Sequence, residues 1–112
     1  MRPPERKIRT TLKNFLGSKE QYTGCVYILA NNEFGILYVG KTGRSLRTRI
    51  IEQFSQSERP IGKLLNKERE NTDLLRLEIL VAPDYDREWL YNAERELIQI
   101  FRPLFNSDHL GE

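Results

Sequence analysis

The sequence predicts a small α/β domain in which helices pack on a three-stranded, largely antiparallel sheet. Two apolar runs of strand-like composition, residues 24–30 and 35–40, are separated by a short polar segment. A third run, residues 75–81, alternates apolar and polar side chains with the period of a strand, and three further stretches show the period of a helix. Because the chain has 112 residues, it has room for one domain with one modest core.

The first two runs predict a β-hairpin whose loop is the polar segment 31–34. If Ala30 lies opposite Gly35, antiparallel pairing places Tyr27 directly across from Tyr38, with both phenols on one face of the sheet. Cross-strand aromatic pairs are also ordinary strand chemistry. The pair therefore has a purely structural interpretation beside a functional one.

Helices are predicted on both sides of the third strand. Ser45 is a suitable N-cap for a helix that ends near Ser55, and a second amphipathic helix is predicted near residues 59–70. Polar residues 71–73 then break the helical pattern, and the last helix is predicted over about residues 86–101. The predicted order is β-β-α-α-β-α. The expected core face of the last helix consists of Leu90, Ala93, Leu97, Ile100 and Phe101.

Charge is distributed unevenly along the chain, although the net charge is only +2. Residues 1–59 contain 11 Lys and Arg against 5 Asp and Glu, whereas residues 60–112 contain 7 against 11. A cationic half favours a nucleic-acid partner, because binding releases the counterions condensed on phosphates. The alternative interpretation of any single cation is that it is an ordinary solvated residue of a charged surface. The cations expected to bind nucleic acid are Arg6, Lys7, Arg9, Lys13, Arg44 and Arg47.

The chain divides into three predicted parts: a basic arm or helix over residues 1–22, a domain over residues 23–107, and a polar tail over residues 108–112. Two alternatives exist for the arm. It packs as a short helix or stays loose until nucleic acid binds, and in both cases the rest is expected to fold without residues 2–13. The only histidine, His109, lies in the tail and is expected to have no role.

Several protein classes are excluded by composition. The single cysteine, Cys25, rules out an internal disulfide framework and a cysteine-based zinc site, and we expect it to be a small buried strand residue. No run approaches the roughly 18 apolar residues of a membrane span, and residues 1–7 lack the apolar core of a signal peptide. We therefore expect an intracellular protein without membrane contact, located in the cytoplasm and, in a bacterium, associated with the nucleoid.

Glu94 is the polar residue whose predicted position most needs an explanation. On the last helix it is expected at the edge of the apolar stripe, whereas Glu96 points away. A carboxylate near a core requires a cation or strong hydrogen-bond donors. One interpretation is an ion pair with Arg49 or Lys41. The other is a metal ligand, since Mg²⁺ takes carboxylate oxygens and keeps water positions free for a phosphate.

Five short motifs follow one another between residues 24 and 106. They are Cys25-Val26-Tyr27, Tyr38-Val39-Gly40, Leu46 to Arg49, Glu94, and Pro103-Leu104-Phe105-Asn106. In this order and spacing the chain resembles the GIY-YIG nuclease family. The resemblance implies the fold described above and a stand-alone endonuclease that hydrolyses DNA phosphodiester bonds.

The resemblance also implies a single-metal mechanism with in-line attack by water, using one Mg²⁺ or Mn²⁺ ion. In that mechanism Glu94 holds the metal beside the scissile phosphate, and Arg49 steadies the phosphate. Tyr27 takes the proton of the attacking water, and Tyr38 positions the water or the phosphate.

Auxiliary roles are expected for three further residues. Lys41 is a candidate to favour the phenolate form of a tyrosine, or is an ordinary phosphate contact. Gly40, without a side chain, would let a sugar-phosphate strand approach the sheet closely. Asn106 bridges the chain end to the site, or caps the turn after Pro103.

Two residues depart from the family pattern. Cys25 stands where the first motif usually begins with Gly. Gln53 stands four residues after Arg49, where His or Tyr is usual, and an amide cannot act as a base. The alternative function is therefore a catalytically weak or inactive nucleic-acid-binding module of the same fold. A small interaction domain without nucleic-acid chemistry is the third alternative.

Substrate specificity is not encoded in a recognisable reader motif. The chain shows no zinc finger or helix-turn-helix, and 112 residues leave little room for one. We therefore expect cutting directed by DNA structure, at branched or damaged sites. The sequence does not distinguish repair from restriction or intron homing, DNA from RNA, or monomer from dimer, and it identifies no protein partner.

Overall fold

A computed structural model describes residues 2–106 as one antiparallel sheet flanked by helices. The α/β class is confirmed, but the sheet has four strands instead of three, in the spatial order β1-β4-β2-β3. The strands are β1 (Arg6–Thr11), β2 (Thr23–Asn31), β3 (Gly35–Ser45) and β4 (Arg76–Val81). The helices are α1 (Leu12–Gly17), α2 (Leu46–Ser55), α3 (Pro60–Lys67) and α4 (Arg87–Phe101), with 3-10 helices at Arg69–Leu74 and Pro83–Tyr85. The predicted polar tail lies outside the described residues.

The first strand was not predicted from the sequence. β1 pairs antiparallel with β4, with Arg6 opposite Val81, and forms one edge of the sheet. Its cations protect an exposed edge from pairing with other chains, but they also hide the strand from an apolar pattern. The short helix follows at once, with Leu12 fully buried. A deletion of residues 2–13 would thus remove a strand and a core side chain, so we expect it to destabilise the fold.

The hairpin forms, but its predicted register is wrong. Asn31, and not Ala30, lies opposite Gly35, and a bulge shifts the strands so that Tyr27 faces Gly40. Tyr38 is therefore the diagonal neighbour of Tyr27. The two rings still share one face, with centroids 6.0 Å apart.

The sheet separates two hydrophobic clusters, and alternate β2 residues point to opposite clusters. The larger cluster lies under α1, α2 and α3 and includes Leu12, Phe15, Cys25, Tyr27, Leu29, Leu46, Ile50, Leu64 and Leu77. The smaller lies under α4 and includes Val26, Ile28, Val39, Leu80, Trp89, Leu90, Ala93 and Ile98. Cys25 is buried as expected, and burial raises the pKa of its thiol to about 12.

The helix boundaries agree with the prediction more closely than the predicted core residues of the last helix do. Ser45 caps α2 by accepting a hydrogen bond from the amide of Thr48. In α4, Leu90 and Ala93 are buried as predicted, but Ile100 is 64% exposed and Phe101 is 43% exposed. Both lie in the last turn, beyond the buried stripe that ends at Ile98. No helix within residues 2–106 has the length and apolar character that crossing a membrane requires.

Candidate active site

The site forms around β3, which is the second edge of the sheet. α2 packs against the face of the sheet that carries Tyr27, and α4 packs against the opposite face. Because an edge strand has only one neighbour, side chains from both helices can meet at its open side. α2 supplies Arg49 and Gln53, and α4 supplies Glu94.

A buried hydrogen-bond chain joins the two tyrosines through an amide. The hydroxyl of Tyr27 donates to Oε1 of Gln53 at 2.9 Å, and Nε2 of Gln53 donates to the hydroxyl of Tyr38 at 3.2 Å. Tyr27 and Gln53 are fully buried, whereas Tyr38 is only partly buried. Gln53 thus fixes both phenols without titrating, in the position where the family pattern has His or Tyr.

Gly40 makes room for the same two rings. A Cβ at this position would lie 2.5 Å from Cζ of Tyr27 and 2.7 Å from Cε2 of Tyr38, far inside van der Waals contact. The phenol rings therefore occupy the space that was expected to admit a sugar-phosphate strand. Any larger residue here would displace the tyrosines.

Burial raises the pKa of Tyr27 well above its usual value. Burial also raises the pKa of Tyr38, and the guanidinium of Arg49 opposes this shift. The sequence suggested Lys41 as the cation that favours a phenolate, but the cation that favours both phenolates is Arg49. Because Tyr27 is fully buried and its hydroxyl is bonded to Gln53, its placement argues against the proton-taking role expected of it.

Glu94 lies at the other side of β3, on α4, and is 7% exposed. Its Oε1 accepts a hydrogen bond from Nζ of Lys41 at 2.9 Å, so Lys41 is the ion-pair partner among the two that were expected. The ammonium also lies 5.8 Å from the ring centroid of Tyr91, at cation–π distance. Lys41 is therefore held on the α4 side, away from the buried phenol of Tyr27.

Glu94 offers the kind of donor, a single protein carboxylate, that a hard divalent cation accepts. Among residues 2–106 we find no cluster of three or more His, Cys, Asp or Glu side chains that could enclose a metal. Structural zinc requires such a cluster, whereas Mg²⁺ is held by one or two carboxylates together with water and substrate phosphates. Lys41 occupies one oxygen of Glu94, which leaves Oε2 as the candidate ligand.

An open cleft of about 410 Å³ is lined in part by Lys41, the ion-pair partner of Glu94. Arg44 and Arg49 both approach Glu52, at 2.9 Å and 3.9 Å respectively. Arg87 was not predicted to belong to the site; the only signal for it was a cation at the start of a helix. The cleft is lined by Lys41, Thr42, Gly43, Arg44, Arg49, Arg87 and Leu90, so four of the seven lining residues are cations.

Asn106 ties the end of the described chain to β3. Its Nδ2 donates to the carbonyl of Val39 at 2.7 Å, and its Oδ1 accepts from the amide of Val39 at 2.8 Å. The side chain is only 2% exposed. The side chain matches the expected bridge to the site, because Val39 lies between Tyr38 and Gly40. The backbone amide of Asn106 also donates to the carbonyl of Pro103 at 3.4 Å, within the turn named in the other expectation.

A sequence model of the GIY-YIG catalytic domain matches residues 23–107. The chain belongs to the GIY-YIG family. This family consists of nucleases that generally depend on a divalent metal, and a nuclease domain implies a nucleic-acid substrate. Comparison with curated proteins and with solved structures gave no match.

The cations expected to bind nucleic acid fall into two groups in this GIY-YIG domain. Those of β1 and α1 are exposed, but Lys7 lies 3.1 Å and Arg9 3.5 Å from the same carboxylate, that of Glu78. Arg6 lies over the ring of Tyr22. Lys13 is exposed on α1. None of these four residues lines the cleft, where Arg44 is the one predicted nucleic-acid contact.

Arg47 has a structural position instead. Its guanidinium donates to the carbonyl oxygens of Leu16 at 2.9 Å and Ser18 at 2.7 Å, and further to those of Phe15 and Glu20. It thereby satisfies carbonyls at the end of α1, which a helix terminus leaves without partners. The guanidinium is occupied by backbone and is not presented to a nucleic acid.

Proposed function

We propose that this chain is an endonuclease that hydrolyses phosphodiester bonds of DNA with the help of one Mg²⁺ or Mn²⁺ ion. The observation that carries this proposal is the convergence of three different chemistries at the edge of β3. Arg49 offers a positive charge, Tyr38 a partly exposed phenol, and Glu94 a carboxylate. Hydrolysis of a phosphodiester needs all three, because charge, proton and leaving group must be handled together.

Arg49 is the proposed phosphate ligand. Its side chain is 27% exposed, it lines the cleft, and the nearest carboxylate oxygen of Glu52 is 3.9 Å away. That distance is too long for a hydrogen bond, so the guanidinium keeps its donors for a planar, bidentate contact with phosphate. Arg44, which is bonded to Glu52 at 2.9 Å, is less available.

Tyr38 is the proposed proton acceptor for the attacking water. It is the one member of the buried chain that keeps partial exposure, and it receives a hydrogen bond from Gln53 that favours its phenolate. Arg49 favours the phenolate as well. Tyr27 then acts through Gln53, by holding the amide so that its NH₂ group points at Tyr38.

Glu94 is the proposed ligand of the divalent ion. When bound, such an ion supplies Lewis-acid stabilisation of the charge on the phosphate and on the leaving oxygen. Lys41 would orient Glu94, because the ammonium is hydrogen-bonded to one of its oxygens. Water would attack the phosphorus in line with the leaving 3′ oxygen, from the side of Tyr38.

The second candidate function is a catalytically weak nucleic-acid-binding domain. It is favoured by the elevated pKa of Tyr38, which lowers the fraction of phenolate at neutral pH. Supercoiled plasmid incubated with the protein, with and without Mg²⁺ or Mn²⁺, separates the two. We expect nicked or linear plasmid with metal only, and retarded DNA in Ca²⁺ by gel shift. Retardation without any cleavage in either metal would select the second candidate.

The preferred DNA form is also a proposal. Branched or damaged DNA is the expected substrate, and repair or restriction is the expected setting, in the cytoplasm or at the nucleoid. Cleavage of a labelled Y-shaped duplex beside a linear duplex of the same sequence measures this preference. A higher kcat/KM on the linear duplex would argue against direction by DNA structure.

A further inference from the structure

The four cations of the cleft differ in what neutralises them. Lys41 is hydrogen-bonded to Glu94, and Arg44 contacts both oxygens of Glu52, at 2.9 Å and 3.1 Å. Arg87, by contrast, has no carboxylate within ion-pair distance among residues 2–106, although Asp86 precedes it directly. The carboxylate of Asp86 is turned to Arg2 at 2.8 Å and to the amides of the first turn of α4.

The position of Arg87 in α4 does not stabilise a positive charge. It is the first residue of the helix, where the macrodipole disfavours a cation. It is exposed, so it also contributes little to the core. Neighbouring cations in the same cleft disfavour it further. An unneutralised cation in this place is therefore best matched by an anion that comes from outside the protein.

Helix geometry relates this residue to the proposed metal ligand. Arg87 and Glu94 are seven residues apart, which is about two turns, so both lie on nearly the same side of α4. Their separation along the helix axis is about 10 Å at 1.5 Å per residue. With a rise of about 3.4 Å per nucleotide along the axis of a duplex, that length corresponds to at most about three nucleotides.

We infer that Arg87 binds a backbone phosphate of the substrate strand, within about three nucleotides of the phosphate held at Arg49. This inference rests on the proposed function and adds to it a second phosphate subsite, at the α4 end of the cleft. The subsite requires a strand that continues past the scissile bond. Its contact is sequence-independent, because it reads the phosphate and not the base.

Arg87→Gln tests this subsite, with Arg95→Gln as the matched control. Arg95 is an exposed arginine on the same helix and does not line the cleft. The measurement is the Kd of a short labelled DNA duplex against KCl concentration, in Ca²⁺ so that cleavage does not interfere. For Arg87→Gln we expect the log–log slope to fall by about 0.9 and Kd to rise roughly fivefold at physiological salt. Arg95→Gln should keep the parental slope, and Arg87→Lys should restore it.

Replacing single phosphates of the DNA by neutral methylphosphonates locates the phosphate that Arg87 contacts. Once the cleavage position is mapped, single methylphosphonates are placed at each of the neighbouring linkages. The parent and Arg95→Gln should lose affinity at one of these positions, and Arg87→Gln should show no further loss there. Equal sensitivity of Arg87→Gln and the parent at every position would overturn the subsite.

The outcomes separate this inference from the proposed function. DNA binding without cleavage, together with a reduced slope in Arg87→Gln, would leave the subsite standing and refute the nuclease activity. Cleavage by the parent with equal salt slopes in Arg87→Gln and Arg95→Gln would refute the subsite alone. Absence of DNA binding by the parent would refute both.

Discussion

The two sides of β3 differ in how much room they leave for a reaction. On the α2 side, Tyr27 and Gln53 are fully buried and every hydroxyl and amide of the tyrosine chain has a partner. Toward α4, a cationic cleft of about 410 Å³ is lined by Arg87 and Leu90 of that helix, by Arg49, and by Lys41, the ion-pair partner of Glu94. The comparison indicates a division of work. Under the proposed function, the buried side orients a phenol, and the open side is where phosphate and metal would bind.

The largest effect is expected on the open side. Glu94→Gln keeps the size of the side chain and removes the charge that would hold the metal, so single-turnover cleavage in Mg²⁺ should fall by orders of magnitude. DNA binding in the absence of metal should survive. Glu96→Gln, on the exposed face of the same helix, is the control and should cleave at the parental rate. Parental cleavage by Glu94→Gln would remove Glu94 from the reaction.

On the buried side, Gln53→Leu should affect folding as well as rate. It leaves the buried hydroxyl of Tyr27 without its acceptor, which costs about 1–3 kcal/mol of unfolding free energy. Urea denaturation measures this loss, and Gln99→Leu, at an exposed position of α4, should change it little. An unchanged stability in Gln53→Leu would mean that the amide does not hold the tyrosines.

A variant of Arg47 tests whether this cation stabilises the fold or binds nucleic acid. Because its guanidinium donates to backbone carbonyls, Arg47→Ala should lower the unfolding free energy by about 2 kcal/mol and leave the salt slope of DNA binding unchanged. The exposed Lys13→Ala should leave stability unchanged. A lower salt slope in Arg47→Ala, with parental stability, would place Arg47 at the nucleic acid after all.

The smallest effect is expected at alkaline pH. Burial raises the pKa of Tyr27 in the folded state above that in the unfolded state, so its contribution is complete below pH 10 and is lost as the pH rises further. The unfolding free energy should decline above pH 10, by up to about 1.4 kcal/mol per pH unit for this group. Tyr27→Phe should decline less steeply, whereas Tyr91→Phe, at an exposed position, should follow the parent.

The sequence predicted those parts of the fold that depend on local signals. Ser45 marks the start of α2 because a hydroxyl at the N-cap satisfies a free amide. The register of the hairpin depends on a bulge near Leu37, which no alternation pattern announces. β1 escaped prediction because its charges suit an exposed edge and dilute the apolar pattern.

For the site, the sequence identified the residue types but not their surroundings. Tyr27 and Tyr38 both lie in apolar strand runs of the sequence, and only the burial of the two side chains in the fold shows that Tyr27 is the enclosed phenol. For Glu94, the sequence left two candidate ion-pair partners, Arg49 and Lys41, and only the structure shows that Lys41 is the partner. Arg87 had no local signal beyond an unfavourable charge at a helix start.

The central claim is that Tyr38, at the boundary between the two sides, faces the reacting phosphate while Tyr27 only supports it. Single-turnover cleavage against pH, for the parent, Tyr38→Phe and Tyr27→Phe, tests it most directly. We expect the parental rate to climb from neutral toward alkaline pH, since burial raises the pKa of Tyr38, and Tyr38→Phe to lose about 10²–10⁴-fold together with this pH dependence. Tyr27→Phe should be less stable but keep the parental pH profile. Loss of the profile in Tyr27→Phe, with Tyr38→Phe at the parental rate, would contradict the account and return the proton to Tyr27.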